Sequence, residues 1–160
     1  MDILTPKGQR TRQHEERAIE LWLKKFPTYS YIQTPKDKPA IIDAVLSVNG
    51  IMTAVVETKC REMTFSKFSE KYKGEWLVTY EKLIKAADIA SAMQVPLVGF
   101  LYLVEDDILL HKKLWEPELG WVCSMSIRLT YTQATVNGGR ALRSNAFIDM
   151  KDAKSIRGVE

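Results

Sequence analysis

The chain has 160 residues, 46% of them hydrophobic and 27% charged, which suits one soluble domain with a core of its own. The net charge of +3 and pI of about 8.8 allow a polyanionic partner without requiring one. Two distant cysteines, Cys60 and Cys123, exclude a disulfide framework or thiolate zinc cluster and make a reducing cytoplasm the expected setting.

The start, Met1-Asp2-Ile3-Leu4, lacks the charged and apolar segments of a signal peptide. The longest apolar run, Val95 to Val104, is too short to span a bilayer, so no membrane partner is expected. The sequence contains no Gly-rich phosphate loop, HExxH or GxSxG.

In chain order, Gly8 to Phe26 reads as an amphipathic helix, with Ile19, Trp22, Leu23 and Phe26 on one face. Glu15 falls near the centre of that face and Glu16 at its edge. Acidic residues there either belong to a site or simply favour the helix dipole. Pro27 ends the helix. Tyr29 to Gln33 suits a strand, 35–39 a loop, and Ile41 to Val48 a strand containing Asp43. Asn49-Gly50 signals a hairpin, with Ile51 to Lys59 as the return strand.

Ala54-Val55-Val56-Glu57-Thr58-Lys59 puts Glu57 and Lys59 on one face of a buried strand. Burying those charges costs desolvation energy. Either they are paired with each other and their neighbours, or they form a site. The hairpin register decides whether Asp43 joins them. A plain two-residue turn puts Asp43 opposite Val56, on the wrong face, so a shared site demands an odd loop or a bulge.

Cys60 to Gly74 reads as a polar loop or loose helix, with Lys67, Lys71 and Lys73 interleaved with Phe65, Phe68 and Tyr72. That pattern suits either a nucleic-acid surface or a solvated loop. Thr79 to Met93 reads as a second helix capped by Thr79, on which Lys82 and Lys85 either contact a phosphate backbone or form a solvated face. Val95 to Val104 is a buried strand, and strand–helix–strand implies a parallel pairing with the Glu57 strand or a neighbour. Glu105-Asp106-Asp107 and Asn137-Gly138-Gly139 read as turns. Ile108 to Lys112, Ser124 to Tyr131 and Ala146 to Met150 read as further strands, followed by a polar surface tail. Arg140 and Arg143 are weak candidates for backbone contacts.

Two close carboxylates can hold Mg²⁺ through oxygen ligands, and an adjacent lysine can orient a water or stabilise developing charge. This set, with its helix before and helix–strand after, resembles the PD-(D/E)xK nuclease superfamily over about residues 9–104. Glu16-Arg17-Ala18-Ile19-Glu20-Leu21-Trp22-Leu23 is similar to the first helix of its Holliday-junction resolvase-like and phage-type members. Ala40-Ile41-Ile42-Asp43 stands at the metal-binding Asp, and Val55-Val56-Glu57-Thr58-Lys59 at the (D/E)xK strand. The proline–aspartate pair is not intact, since Pro39 lies four positions before Asp43.

The resemblance implies an α/β, restriction-endonuclease-like core, a mixed sheet flanked by helices in the order αβββαβ. It implies one nuclease-like domain over 1–160, with 105–160 adding strands and a tail. It further implies a Mg²⁺-dependent deoxyribonuclease, endo- or exonucleolytic, with Mn²⁺ as substitute, acting on DNA in the cytoplasm (that of a bacterial host if phage-encoded), and a homodimer if both strands are cut. Glu16, Asp43, Glu57 and Lys59 would be catalytic, with metal on Asp43, Glu57 and the Thr58 carbonyl. Lys67, Lys71, Lys73 and Lys82 would be weak nucleic-acid contacts. The competing expectation is a non-catalytic nucleic-acid-binding or assembly protein on the same fold.

Overall fold

The structure, a computed structural model, describes residues 6–35, 40–131 and 142–158. The 137–139 turn and Arg140 lie outside those residues. The first helix, α1 (Pro6–Lys25), has Pro6 in its first turn, where no N–H is needed, and Lys24 and Lys25 in its last, where they complement the dipole. Then follow β1 (Tyr29–Gln33), β2 (Ala44–Val48), β3 (Ile51–Arg61), α2 (Phe65–Glu70), β4 (Glu75–Thr79), α3 (Tyr80–Met93) and β5 (Leu97–Leu103). After a 3₁₀ turn at Val104–Asp106 come β6 (Ile108–Glu116), β7 (Gly120–Trp121), β8 (Met125–Tyr131), β9 (Leu142–Asp149) and β10 (Lys154–Arg157).

The central sheet runs β1-β2-β3-β5-β6-β10, with β7 also paired to β6. Its β3–β5 pair is parallel and the other pairs are antiparallel. This is the mixed, helix-flanked core that the sequence led us to expect, with α2 and β4 inserted ahead of the crossover helix α3. One face of the sheet is covered by α1, whose Ala18, Leu21 and Trp22 pack on Leu46, Val56, Phe100 and Tyr102. The other is covered by α3, through Leu83, Ala86, Ala87 and Ala90, and by a three-stranded sheet in the order β4-β9-β8. Burying both faces explains why β5 reads as an unbroken apolar run.

Several boundaries differ from the sequence expectation. Glu75–Thr79 is a strand, because its alternating Trp76 and Val78 are buried against the core while Leu77 faces outward. The polar tail contains β10, which pairs with β6 and buries Ile156, so polar composition concealed an edge strand. Thr79 stands at the N-cap of α3, but its side chain makes no capping hydrogen bond.

Candidate active site

The hairpin joining β2 and β3 turns tightly at Asn49 (φ 53°) and Gly50 (φ 78°), both left-handed, with Val48 opposite Ile51. A two-residue turn alone would carry Asp43 to the wrong face. The register then shifts: Ser47 pairs with Met52, whereas Leu46 pairs with Ala54, leaving Thr53 as the extra residue of a bulge. Its hydroxyl donates to the Leu46 carbonyl at 3.2 Å. From there Ala44 lies opposite Val56, so the next position, Asp43, falls beside Glu57 on the same face.

Asp43 stands just past the end of β2 rather than inside it, and its side chain extends the ladder. Its Oδ2 accepts the Thr58 N–H at 2.8 Å. In an antiparallel ladder the N–H and C=O of one residue face the same neighbour, so the Thr58 carbonyl also faces the Asp43 side. The Thr58 hydroxyl lies on the opposite face, 2.9 Å from the Tyr31 hydroxyl.

Glu57 is fully buried. On the parallel neighbour β5 its partner is Gly99. A Cβ at Gly99 would come within 2.6 Å of the Trp76 ring and 3.0 Å of Leu114. The glycine therefore lets the indole close over this part of the sheet. Among the described residues Glu57 Oε2 has no hydrogen-bond partner. Lys82, in the first turns of α3, makes an ion contact, with Nζ 3.1 Å from Glu57 Oε1 and 3.5 Å from Asp43 Oδ1.

The electrostatics follow from this crowding. Burial, reinforced by the Asp43 charge, pushes the Glu57 carboxyl up to about 7 against the pull of Lys82 and Lys59. Burial and then the Lys82 charge push Lys59 below the ordinary lysine value, with Glu57 and Asp43 opposing. Burial would also lower Lys82, but Glu57 and Asp43 outweigh it and raise its pKa. The cluster thus holds a lysine that gives up its proton more readily than usual and a glutamate that takes one more readily.

The structure brings Asp43, Glu57, Thr58 and Lys59 together and does not bring Glu16 to them. The buried side of α1 is set by Ala18, Leu21 and Trp22 rather than by Ile19 and Leu23. Glu16 therefore turns outward, exposed and 3.3 Å from Arg12. Glu15, three residues before Ala18, is half-buried and near enough to Tyr31 and Cys60 to raise both their pKa values. Both sit on the α1 side of the sheet, whereas the Glu57 side chain shares the Val55 face beneath α3. Cys60, pushed up to about 12 chiefly by burial, is a poor nucleophile.

Lys67, Lys71 and Lys73 are exposed on and after α2, with Lys71 over the Tyr72 ring. Lys85 pairs with Glu81 at 3.0 Å on the solvated side of α3. Lys82, expected to contact nucleic acid or solvent, is instead a member of the carboxylate cluster. Its position one residue before the buried Leu83 is the only sequence signal that could have placed it there.

The donor set suits a hard cation. Among the described residues no group of three or more His, Cys, Asp and Glu side chains converges, so the protein offers two carboxylates and a carbonyl. Mg²⁺ commonly takes one or two carboxylates and completes its shell with water and substrate phosphates. Glu57 Oε2, which has no partner among the described residues, is consistent with such a ligand.

No family model matches the chain, and no curated protein matches it. Among solved structures it is similar to the 1.6 Å structure of Hjc, a Holliday junction resolvase from the archaeal hyperthermophile Archaeoglobus fulgidus. The two are 12% identical over 88% of this chain and 93% of that chain, with a TM-score of 0.48. No described helix is long and apolar enough to cross a membrane.

Proposed function

We propose that this protein is a metal-dependent nuclease that hydrolyses phosphodiester bonds in DNA, with its centre at Asp43, Glu57 and Lys59. The observation that carries the reading is the Thr53 bulge. It brings two carboxylates from adjacent strands to one face, beside a lysine, at the cost of an irregular ladder. Asp43, Glu57 and the Thr58 carbonyl would hold Mg²⁺, with Mn²⁺ as a substitute. When bound, the ion would polarise a phosphate and lower the pKa of a coordinated water.

The remaining work falls to the chain. Trp76 over Gly99 excludes water from the Glu57 side of the site. The Thr58 N–H fixes one Asp43 oxygen and so orients the carboxylate. Lys59 Nζ, with its depressed pKa, is suited to accept a proton from an attacking water or to hold charge on the phosphate. Lys67, Lys71 and Lys73 would supply screened contacts to the DNA backbone. A dimer would be required for cutting both strands.

A second reading has a specific observation in its favour. Lys82 already neutralises the two carboxylates, as it would in a purely structural ion cluster of a binding protein. Cleavage of supercoiled, single-stranded and branched DNA with Mg²⁺ or Mn²⁺ separates the two. For the nuclease, Glu57→Ala and Lys59→Ala should each lose about 100-fold or more in rate while DNA affinity stays near the wild-type value. DNA binding that is indifferent to EDTA and to both substitutions, with no cutting of any substrate, would establish the binding protein instead.

A further inference from the structure

Lys82 Nζ occupies the place a metal ion would need. It lies 3.1 Å from Glu57 Oε1 and 3.5 Å from Asp43 Oδ1. The second Asp43 oxygen is held by the Thr58 N–H. The oxygens touched by the ammonium are thus the ones a cation shared between the two carboxylates would take.

A divalent ion cannot settle between Asp43 and Glu57 while the ammonium stays. The two would compete for the same lone pairs and repel each other. The lysine stem is flexible and its side chain is 28% exposed, which gives the head a way out to solvent. Glu57 is fully buried and cannot leave, so Lys82 is the member that must move.

We propose that Lys82 is a tethered competitor of the metal. It neutralises Asp43 and Glu57 when no divalent ion is bound and swings out when one binds, so its displacement sets the metal affinity. This rests on reading Asp43 and Glu57 as the metal ligands. By reciprocity, the ion weakens the hold on Lys82 as much as Lys82 weakens the hold on the ion. The ammonium freed by the metal lies beside the site at the moment a phosphate would arrive.

The test is calorimetric titration of the full chain with Mn²⁺, with thermal unfolding alongside, for wild type, Lys82→Gln, Lys82→Met and Lys82→Arg. Removing one adjacent charge shifts a neighbouring equilibrium by about tenfold or more, so the Gln and Met variants should bind Mn²⁺ at least about tenfold tighter. The Arg variant, which keeps the charge, should stay near wild type. Without metal the Gln and Met variants should melt lower, and saturating Mn²⁺ should raise their melting temperature more than it raises that of wild type. A neutral variant that folds only with Mn²⁺ present gives the same result, and one that fails to fold with or without Mn²⁺ counts against the proposal. Equal or weaker binding by Lys82→Met and Lys82→Gln overturns the competition and leaves the metal site standing. No saturable binding by any of the four proteins overturns both.

Discussion

Replacing Glu57 with Gln keeps the size of a fully buried side chain and removes its charge, which makes the cost of that charge measurable. The Glu57 pKa rises from 4.5 to about 7 in the folded chain, through burial first and Asp43 second. As pH rises past 4.5 the unfolded chain loses this proton while the folded chain keeps it. Stability contributed by Glu57 therefore falls with rising pH between 4.5 and about 7 and levels off above. At about 1.4 kcal/mol per pH unit, the full loss is about 3 kcal/mol.

His111 runs the other way in nearly the same window. It is buried among Trp22, Phe26 and Phe100, and burial, then Lys25 and Lys154, lower its pKa from 6.5 to about 4. The unfolded chain then binds the extra proton between those values, so stability rises with pH there. The two slopes oppose each other, and the wild-type profile is expected to look flat. The difference between Glu57→Gln and wild type at each pH removes the His111 contribution. Urea unfolding in EDTA should show the variant gaining about 2 to 3 kcal/mol on wild type between pH 5 and pH 8. A difference that stays constant across that range would refute the placement of an ionisable Glu57 in a water-poor site.

Gly99→Ala should cost about 1–3 kcal/mol, because its Cβ would strike the Trp76 ring and Leu114. Pairing it with Trp76→Leu should recover part of that loss, and additive costs in a double-mutant cycle would show that the contact is absent. Deleting Thr53 while keeping Asn49-Gly50 should leave a regular hairpin in which Leu46 still faces Ala54 and Asp43 still faces Glu57, so Mn²⁺ binding should stay near the wild-type value. A folded deletion protein that no longer binds Mn²⁺ would refute the pairing of Asp43 with Glu57. His111→Phe should expose the opposing Glu57 slope, so that its stability rises as pH falls from 6.5 to 4.5, and a urea profile as flat as that of wild type would reject the buried neutral imidazole.

What the sequence by itself determined was local. Alternation along β3 put Glu57 and Lys59 on one face, Asn49-Gly50 required a tight turn, and the apolar run of β5 with the helix before it required a parallel crossover. These follow from the period of a strand, the φ values glycine and asparagine tolerate, and the length a crossover needs. The sequence also narrowed the register of Asp43 to two outcomes without choosing, because a bulge is one residue long and has no compositional mark. The choice came from tertiary structure, where Asp43 takes over the Thr58 N–H past the end of β2. Which acid of α1 faces inward was likewise decided by packing, since Ala18 and Leu21 rotate the helix away from the face that Ile19 and Leu23 suggest. Lys82 read as a surface lysine because a sequence does not show what a helix is laid against. Only the docking of α3 over β3 made it the counter-cation of two acids that lie 39 and 25 positions earlier in the chain.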